Sequence, residues 1–342
     1  MTTRTPLALR ASLALSLSIA CAAALPAIAP ASTTTAKLRV LTPSKVLDPG
    51  TTYLVDDRVS VPTTPEADCF GPPGGSGAEF RFEQPNALSL LATAARTSAK
   101  VRPLSLTDQF GFGLGICGIG GADAVPGESF WYLKANREEA TVGADQLAIR
   151  NGDEILFYLA PDNFPNPNPS ELELRAPARA QAGEQFSVKV VEHACVTDPN
   201  TFDVSCETQP AAGVSVGGAG PVSKTGADGS AVLAAPSSGS AELAATRGTD
   251  IPSEVLEVCV ANRLERCPPR RGERVIGSPN GDRIRGTAGS DSIRARRGAD
   301  EIDLRRGGAD ALDCGPGRDT VLVGRADRDD RIARDCERVR RR

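Results

Sequence analysis

One short pattern recurs five times near the C-terminus and limits what the chain can fold into more tightly than any other feature. An aspartate, any residue and a branched aliphatic stand at Asp282/Ile284, Asp291/Ile293, Asp300/Ile302, Asp310/Leu312 and Asp319/Val321, at steps of nine, nine, ten and nine residues. A fixed period that short is too small for a helical hairpin. It suits a solenoid in which a tight turn feeds a three-residue strand, each repeat making one rung. Two residues before each aspartate stand Asn280, Gly289, Gly298, Gly308 and Gly317. Asn and Gly tolerate positive φ at least cost, so the spacing predicts a left-handed residue at the same place in every turn.

The tract from Val275 to Val323 resembles the hemolysin-type (RTX) nonapeptide Gly-Gly-x-Gly-x-Asp-x-U-x, whose glycine turns and aspartates hold calcium between successive coils of a parallel β-roll. The resemblance implies calcium at Asp282, Asp291, Asp300, Asp310 and Asp319. Calcium takes about six to eight oxygens, which carboxylates and turn carbonyls of neighbouring rungs can supply together. The motif's glycines persist around Gly277 and Gly286, whereas later rungs place Ala295, Arg296, Arg305, Arg306 and Cys314 there. Arginines beside an aspartate row offer a second solution, a metal-free coil neutralised by forked arginine–aspartate pairs. The sequence leaves both readings standing.

At the other end, residues 1 to 31 carry Arg4 and Arg10, an apolar run from Ala11 through Leu25, and small residues ending Ala29-Pro30-Ala31. This is the layout of a secretory signal peptide cleaved after Ala31. Cys21 offers a rival, lipid attachment at a lipoprotein box. Ser18 stands where such boxes usually carry leucine, and the apolar run continues past Cys21, which favours cleavage. The expectation is an extracellular or cell-surface protein. No other apolar stretch approaches the roughly twenty residues that span a bilayer.

Charge is unevenly placed along the 342 residues: Ala261 to Arg342 holds 21 basic and 15 acidic residues, against 16 basic and 28 acidic in residues 32 to 260. The basic tail does not point to nucleic acid, because Arg and Asp alternate closely in it and no aromatic stacking platform accompanies them. Arg338 to Arg342 instead suit anionic cell-wall polymer or lipid headgroups. Without Cys21, eight cysteines remain, an even number that implies a disulfide set in an exported chain. Locality pairs Cys69 with Cys117, Cys195 with Cys206, Cys259 with Cys267 and Cys314 with Cys336. Zinc is disfavoured by the lack of Cys-x-x-Cys pairs.

Residues 36–160 read as a first domain. Strand-type runs lie at Leu38 to Leu41, Tyr53 to Val55, Glu79 to Phe82, Ser129 to Asn136 and Ile155 to Leu159. Between them Leu88, Leu91, Ala92 and Ala95 recur at helical spacing behind Asn86, a good N-cap. Trp131 to Tyr158, with Val142-Gly143-Ala144-Asp145-Gln146 and the turn Asn151-Gly152-Asp153-Glu154, resembles the transcobalamin C-terminal-like domain of bacterial surface proteins. That resemblance implies a β-grasp-like α+β fold, and a cobalamin or glycan site near Trp131 and Tyr132. Arg137 stands where the family's hairpin often has glycine. Ring packing in the core or on the sheet is the alternative use of both aromatics.

Residues 161–170 form a proline-rich linker. Beyond it, residues 171–260 alternate short strand-type runs with turns: Leu172 to Leu174, Gln185 to Val191, Gly213 to Val216, Ala231 to Ala235, Glu242 to Ala245 and Val255 to Val260. That spacing predicts a β-sandwich. Thr225-Gly226-Ala227-Asp228-Gly229 resembles the turn of bacterial Ig-like and prealbumin-like modules, which implies a spacer. A second linker, residues 261–274, leads to the repeats and their C-terminal cap in residues 275–342. The fold class expected is thus mainly β and multidomain, with a β-grasp-like domain, an Ig-like sandwich and a short β-roll.

Little points to catalysis. His193 is the only histidine, and no Gly-x-Ser-x-Gly elbow, phosphate loop or dinucleotide fingerprint is present. A non-enzymatic protein is the expectation.

Overall fold

The computed structural model describes residues 33–111, 113–162, 168–201, 203–268, 271–325 and 327–342. The expected signal peptide, Cys21 and part of the proline-rich linker lie outside the described residues. The fold is mainly β, with 46% strand and 5% helix. Three hydrophobic cores organise it. All four disulfides join the cysteines that locality pairs: Cys69–Cys117, Cys195–Cys206, Cys259–Cys267 and Cys314–Cys336. Among the described residues, no helix is long and apolar enough to cross a membrane.

The first core forms where the helix Ala87–Thr97 lies on a mixed sheet. Asn86 caps the helix, accepting from the Ser89 N–H at 2.7 Å while Ser89 Oγ accepts from the Asn86 N–H at 2.8 Å. In the sheet, Thr33–Leu41 pairs parallel with Asp153–Pro161 and antiparallel with Val46–Asp56, and Asp153–Pro161 pairs antiparallel with Ser129–Ala135. Strand alternation then separates two faces. Leu38, Val40, Ile155 and Phe157 meet the helix, while Leu41, Leu156 and Tyr158 join Ile251 of the next module on the other side.

The second core fills a sandwich. One sheet orders Glu171–Arg175, Gln185–Thr197 and Val204–Pro210, with Ser230–Ala234 added on Gln185–Thr197; the other runs from Arg179–Gln181 through Leu256–Ala261, Gly239–Thr246 and Ser215–Gly217 to Ser223–Lys224. Every strand-type run expected between residues 171 and 260 lies in or against one of these strands.

The two modules meet through buried charge. Lys37, Arg39, Lys134 and Glu154 lie on the sheet face away from the helix, and Glu171 opens the sandwich. Arg39 Nη1 reaches Glu171 Oε1 at 2.6 Å with both side chains 2% exposed. Arg137 Nη1 reaches the same oxygen at 3.1 Å, and Lys134 Nζ lies 3.8 Å from Glu171 Oε2. Arg137 sits with Asn136 in a hairpin turn at φ 73° and 52°. A left-handed arginine costs about 1–2 kcal/mol, and pairs to Glu154, Glu171 and Glu173 offset that cost. The Arg137 side chain thereby bridges the two modules.

The third core belongs to the coil. Its strands form two parallel stacks: Arg274–Ile276, Ser292–Arg294, Ala311–Asp313 and Arg331–Ile332 in one, Arg283–Arg285, Glu301–Asp303, Thr320–Val323 and Arg338–Arg341 in the other. Partners are two repeats apart, as in Ile293↔Leu312 and Ile302↔Val321. One repeat is therefore half a coil rather than a rung, because each turn reverses the chain into the opposite sheet. The first stack continues the sheet of the first module, with Thr52↔Val275 and Tyr53↔Ile276 paired parallel. Leu54 of that module is buried in the coil core.

The residues two before each aspartate also need correction. Gly298 and Gly308 take positive φ, at 139° and 117°, but Asn280, Gly289 and Gly317 do not. Stacking distance is the common reason for glycine. A Cβ would lie 2.1 Å from Arg271 C at Gly289, 2.2 Å from Asn280 O at Gly298, 2.0 Å from Gly289 O at Gly308 and 1.5 Å from Gly298 O at Gly317. Asn280 stands in the first coil, and its amide donates instead to Asp56 Oδ1 at 2.9 Å.

Two stability outcomes follow from these contacts. Gly317→Ala will lower unfolding free energy by roughly 1–3 kcal/mol or more, whereas Gly217→Ala, whose Cβ would meet Val222 at an ordinary 3.6 Å, will be nearly neutral. Glu171→Ala, which strands Arg39 and Lys134 in the interface, will cost about 3–5 kcal/mol in denaturant melts.

Candidate functional site

Each repeat places its aspartate facing inward, immediately before a short strand. The residue after it faces out and the aliphatic after that faces in. Asp282, Asp291, Asp300, Asp310 and Asp319 are consequently all 2% exposed or less, as enclosed as Ile293 and Ile302.

Burial would leave both a carboxylate and the strand's first N–H without water, and the coils satisfy one with the other. On one side, Glu273 N–H donates to Asp291 Oδ1 at 2.7 Å, Asp291 N–H to Asp310 Oδ1 at 2.8 Å, and Asp310 N–H to Asp330 Oδ1 at 3.1 Å. On the other, Asp282 N–H donates to Asp300 Oδ1 at 2.7 Å, Asp300 N–H to Asp319 Oδ1 at 2.9 Å, and Asp319 N–H to Glu337 Oε2 at 2.8 Å. Two acidic ladders thus tie each coil to the next. The five aspartates expected as ligands fall into these two separate rows.

The ladders are unequal in their second oxygens. Ser278 and Thr287 stand four residues before Asp282 and Asp291. Their N–H groups donate to the respective Oδ2 atoms, each at 2.6 Å, and their hydroxyls to Oδ1 at 2.9 and 2.7 Å. The same position before Asp300, Asp310 and Asp319 holds Arg296, Arg306 and Gly315, which carry no hydroxyl. There the Oδ2 atoms are buried without a hydrogen-bond partner, as is Oδ2 of Asp330. The repeats that carry Gly277 and Gly286 have self-satisfied carboxylates. The vacant oxygens belong to the later repeats.

Electrostatics follow the same division. Burial, reinforced by Asp282 and Asp319, pushes Asp300 up to about 7 against the pull of the Asp282 N–H. Burial likewise takes Asp310 up to about 7, with Asp291, Asp330 and Asp327 adding to it. Asp282 rises only to about 6, because burial is opposed by both Ser278 bonds and by Arg296. Asp319 and Asp330 are also raised, chiefly by burial.

Arginine forks do not neutralise these rows. The coil's arginine pairs lie on its outer face, Arg305 to Asp303 at 2.7 Å and Arg283 to Glu301 at 3.4 Å. Arg296, at φ 79°, directs a guanidinium N–H to Gly277 O at 3.3 Å. Among the described residues, none of the five aspartates has an arginine within ion-pair distance, so the metal-free ladder of forked pairs is not formed.

The other expected site residues do not converge. Trp131 and Tyr132 are neighbours on one strand and point to opposite faces. Trp131 Nε1–H donates to Ala122 O at 3.2 Å and its ring packs against the first core, while Tyr132 stacks on Tyr158 at 5.3 Å. His193 lies between Glu173 Oε2 and Thr208 Oγ1, 2.9 Å from each. Glu173 is held down at about 2 by the Arg175 hydrogen bond first, against burial, and then by His193 and Arg137. The Glu173 carboxylate is thereby committed to Arg175, His193 and Arg137 at the module junction.

Among the described residues, no three carboxylate, imidazole or thiolate side chains converge as one ligand set. A cation at Asp300, Asp310 or Asp319 would therefore complete its shell from turn carbonyls and water, which suits calcium better than zinc. Comparison with protein-family models, curated proteins and solved structures finds no match to this chain.

The raised carboxylates set a pH dependence. An aspartate near 7 in the folded coil and near 3.9 unfolded binds more protons when folded, so stability falls as pH rises from about 4 to about 7. In chelator, the melting temperature of the chain will drop between pH 5 and pH 8. Asp300→Asn with Asp310→Asn will flatten that slope; an unchanged slope would place the titration elsewhere.

Proposed function

We propose that this is an exported, non-enzymatic surface or secreted protein whose C-terminal β-roll binds calcium. The observation that carries the reading is the set of buried, unpartnered Oδ2 atoms in both rows, on Asp300 and Asp319 in one and on Asp310 and Asp330 in the other. An oxygen so placed wants a proton or a cation, and a divalent ion of high oxygen preference serves neighbouring carboxylates at once. Four disulfides are compatible with an oxidising compartment. Calcium would supply counter-charge to the ladders; the chain's own contribution is to hold the carboxylates in register from coil to coil. Binding would then couple to folding of the coil, because stacked carboxylates repel until neutralised.

Asp300 with Asp319 in one row, and Asp310 with Asp330 in the other, are the candidate ligands that the geometry supports best. Asp282 and Asp291 spend their second oxygens on Ser278 and Thr287. The final strand, Arg338–Arg341, is an edge strand with every residue exposed. It offers anionic wall polymer or headgroups a basic rim outside the ladders.

Calcium titration of the mature chain, after chelation and with magnesium as control, tests this reading. We expect a saturable rise in melting temperature at pH 8 with affinity on the order of 0.1–1 mM. The rise should vanish in Asp300→Asn with Asp310→Asn and persist in Asp282→Asn. A chain indifferent to calcium, or one in which Asp282→Asn alone abolishes the effect, would sink the assignment.

A further inference from the structure

A second feature lies where the first module, the sandwich and the approach to the coil meet. Arg137, Glu173, Arg175, Glu254, Leu256 and Arg271 line a cavity of about 300 Å³ there, a volume at the lower end of ligand-binding clefts. It opens beside the network that joins the modules. Lys37 contacts Glu154 and Glu254, Arg39 contacts Glu171, Arg137 contacts Glu154 and Glu171, and Arg175 holds Glu173. Lys134 is buried against Glu171 as well. With Arg271, six cationic side chains face four carboxylates.

Arg271 is the cation without an anion. Its Nε–H donates to Glu257 O at 2.9 Å and its Nη2 to Ala176 O at 2.6 Å and Pro177 O at 3.1 Å. Its Nη1 has no acceptor among the described residues, and no carboxylate there lies within ion-pair distance of it. Burial alone pushes its pKa down, with no neighbouring charge opposing the shift. A half-buried guanidinium held by three carbonyls keeps one terminal nitrogen, Nη1, to present to an anion.

We propose that this junction cavity is a binding site for a small oxyanion of phosphate size, received by the Nη1 group of Arg271 with Arg175 at the mouth. The anion supplies the missing negative charge of the network, and so fastens the sandwich, the first module and the start of the coil together. Free phosphate and a phosphodiester present the same paired oxygens, so inorganic phosphate and dimethyl phosphate serve as separate probes.

Isothermal calorimetry and thermal melts of the mature chain test the site, with chloride at matched ionic strength as reference. The expected result is saturable one-site binding of at least one probe, weakened tenfold or more in Arg271→Gln and several-fold in Arg175→Ala. Arg283→Ala on the coil's outer face should leave it unchanged. Arg175 is largely exposed, so its variant keeps the test open if Arg271→Gln does not fold. No binding of either probe beyond the chloride reference, or equal binding in wild type and Arg175→Ala, overturns the proposal.

Discussion

A carboxylate removed from water must receive a counter-charge, a proton or several N–H donors, and this chain removes carboxylates from water at both of its seams. At the module junction, Glu171 is 2% exposed and takes Arg39, Arg137 and Lys134 from the first module. In the coil, the aspartates are equally enclosed but take backbone N–H groups, one coil from the next. The junction is locked by cations on neighbouring elements. The coil is locked by its own main chain, and in the later repeats that is one donor too few.

The same accounting explains how a short coil can stand at all. A parallel stack of three-residue strands has two open ends, and each exposes unpaired backbone and apolar side chains. Here the first end is closed by Val46–Asp56, whose Thr52 and Tyr53 pair with Val275 and Ile276 while Leu54 enters the coil core. Near the other end, Cys314–Cys336 ties the coil to its last turn and a strand of arginines forms the rim. The coil is an extension of the first module's sheet, although the sandwich lies between them in sequence.

Much of this was legible before any coordinates. The nine-residue spacing announced paired turns and strands, Asn86 and the 3.6-residue periodicity announced the helix, and cysteine locality announced every disulfide, because each of these depends on neighbours close in the chain. Less legible were the features that depend on partners two repeats away. Glycine before each aspartate looked like a requirement of φ, yet Gly289 and Gly317 are required by the backbone of the adjacent coil. Trp131 and Tyr132 looked like one surface, although consecutive residues on a strand cannot share a face. The signal that separates the repeats, a hydroxyl at Ser278 and Thr287 against Arg296, Arg306 and Gly315, was present in the sequence but gained meaning only once carboxylate oxygens were counted.

The sequence by itself determined the kinds of element and their order: a helix on a sheet, a sandwich, and a coil with an aspartate at every turn, since hydrophobic period and turn chemistry are local properties. Only the tertiary structure decided that two repeats make one coil, that the coil grows from the edge of the first sheet, and which aspartates retain an unsatisfied oxygen. Those outcomes rest on burial and on hydrogen bonds between residues 18 to 20 positions apart, or on opposite sides of the sandwich. No local spacing encodes how much water a carboxylate will lose.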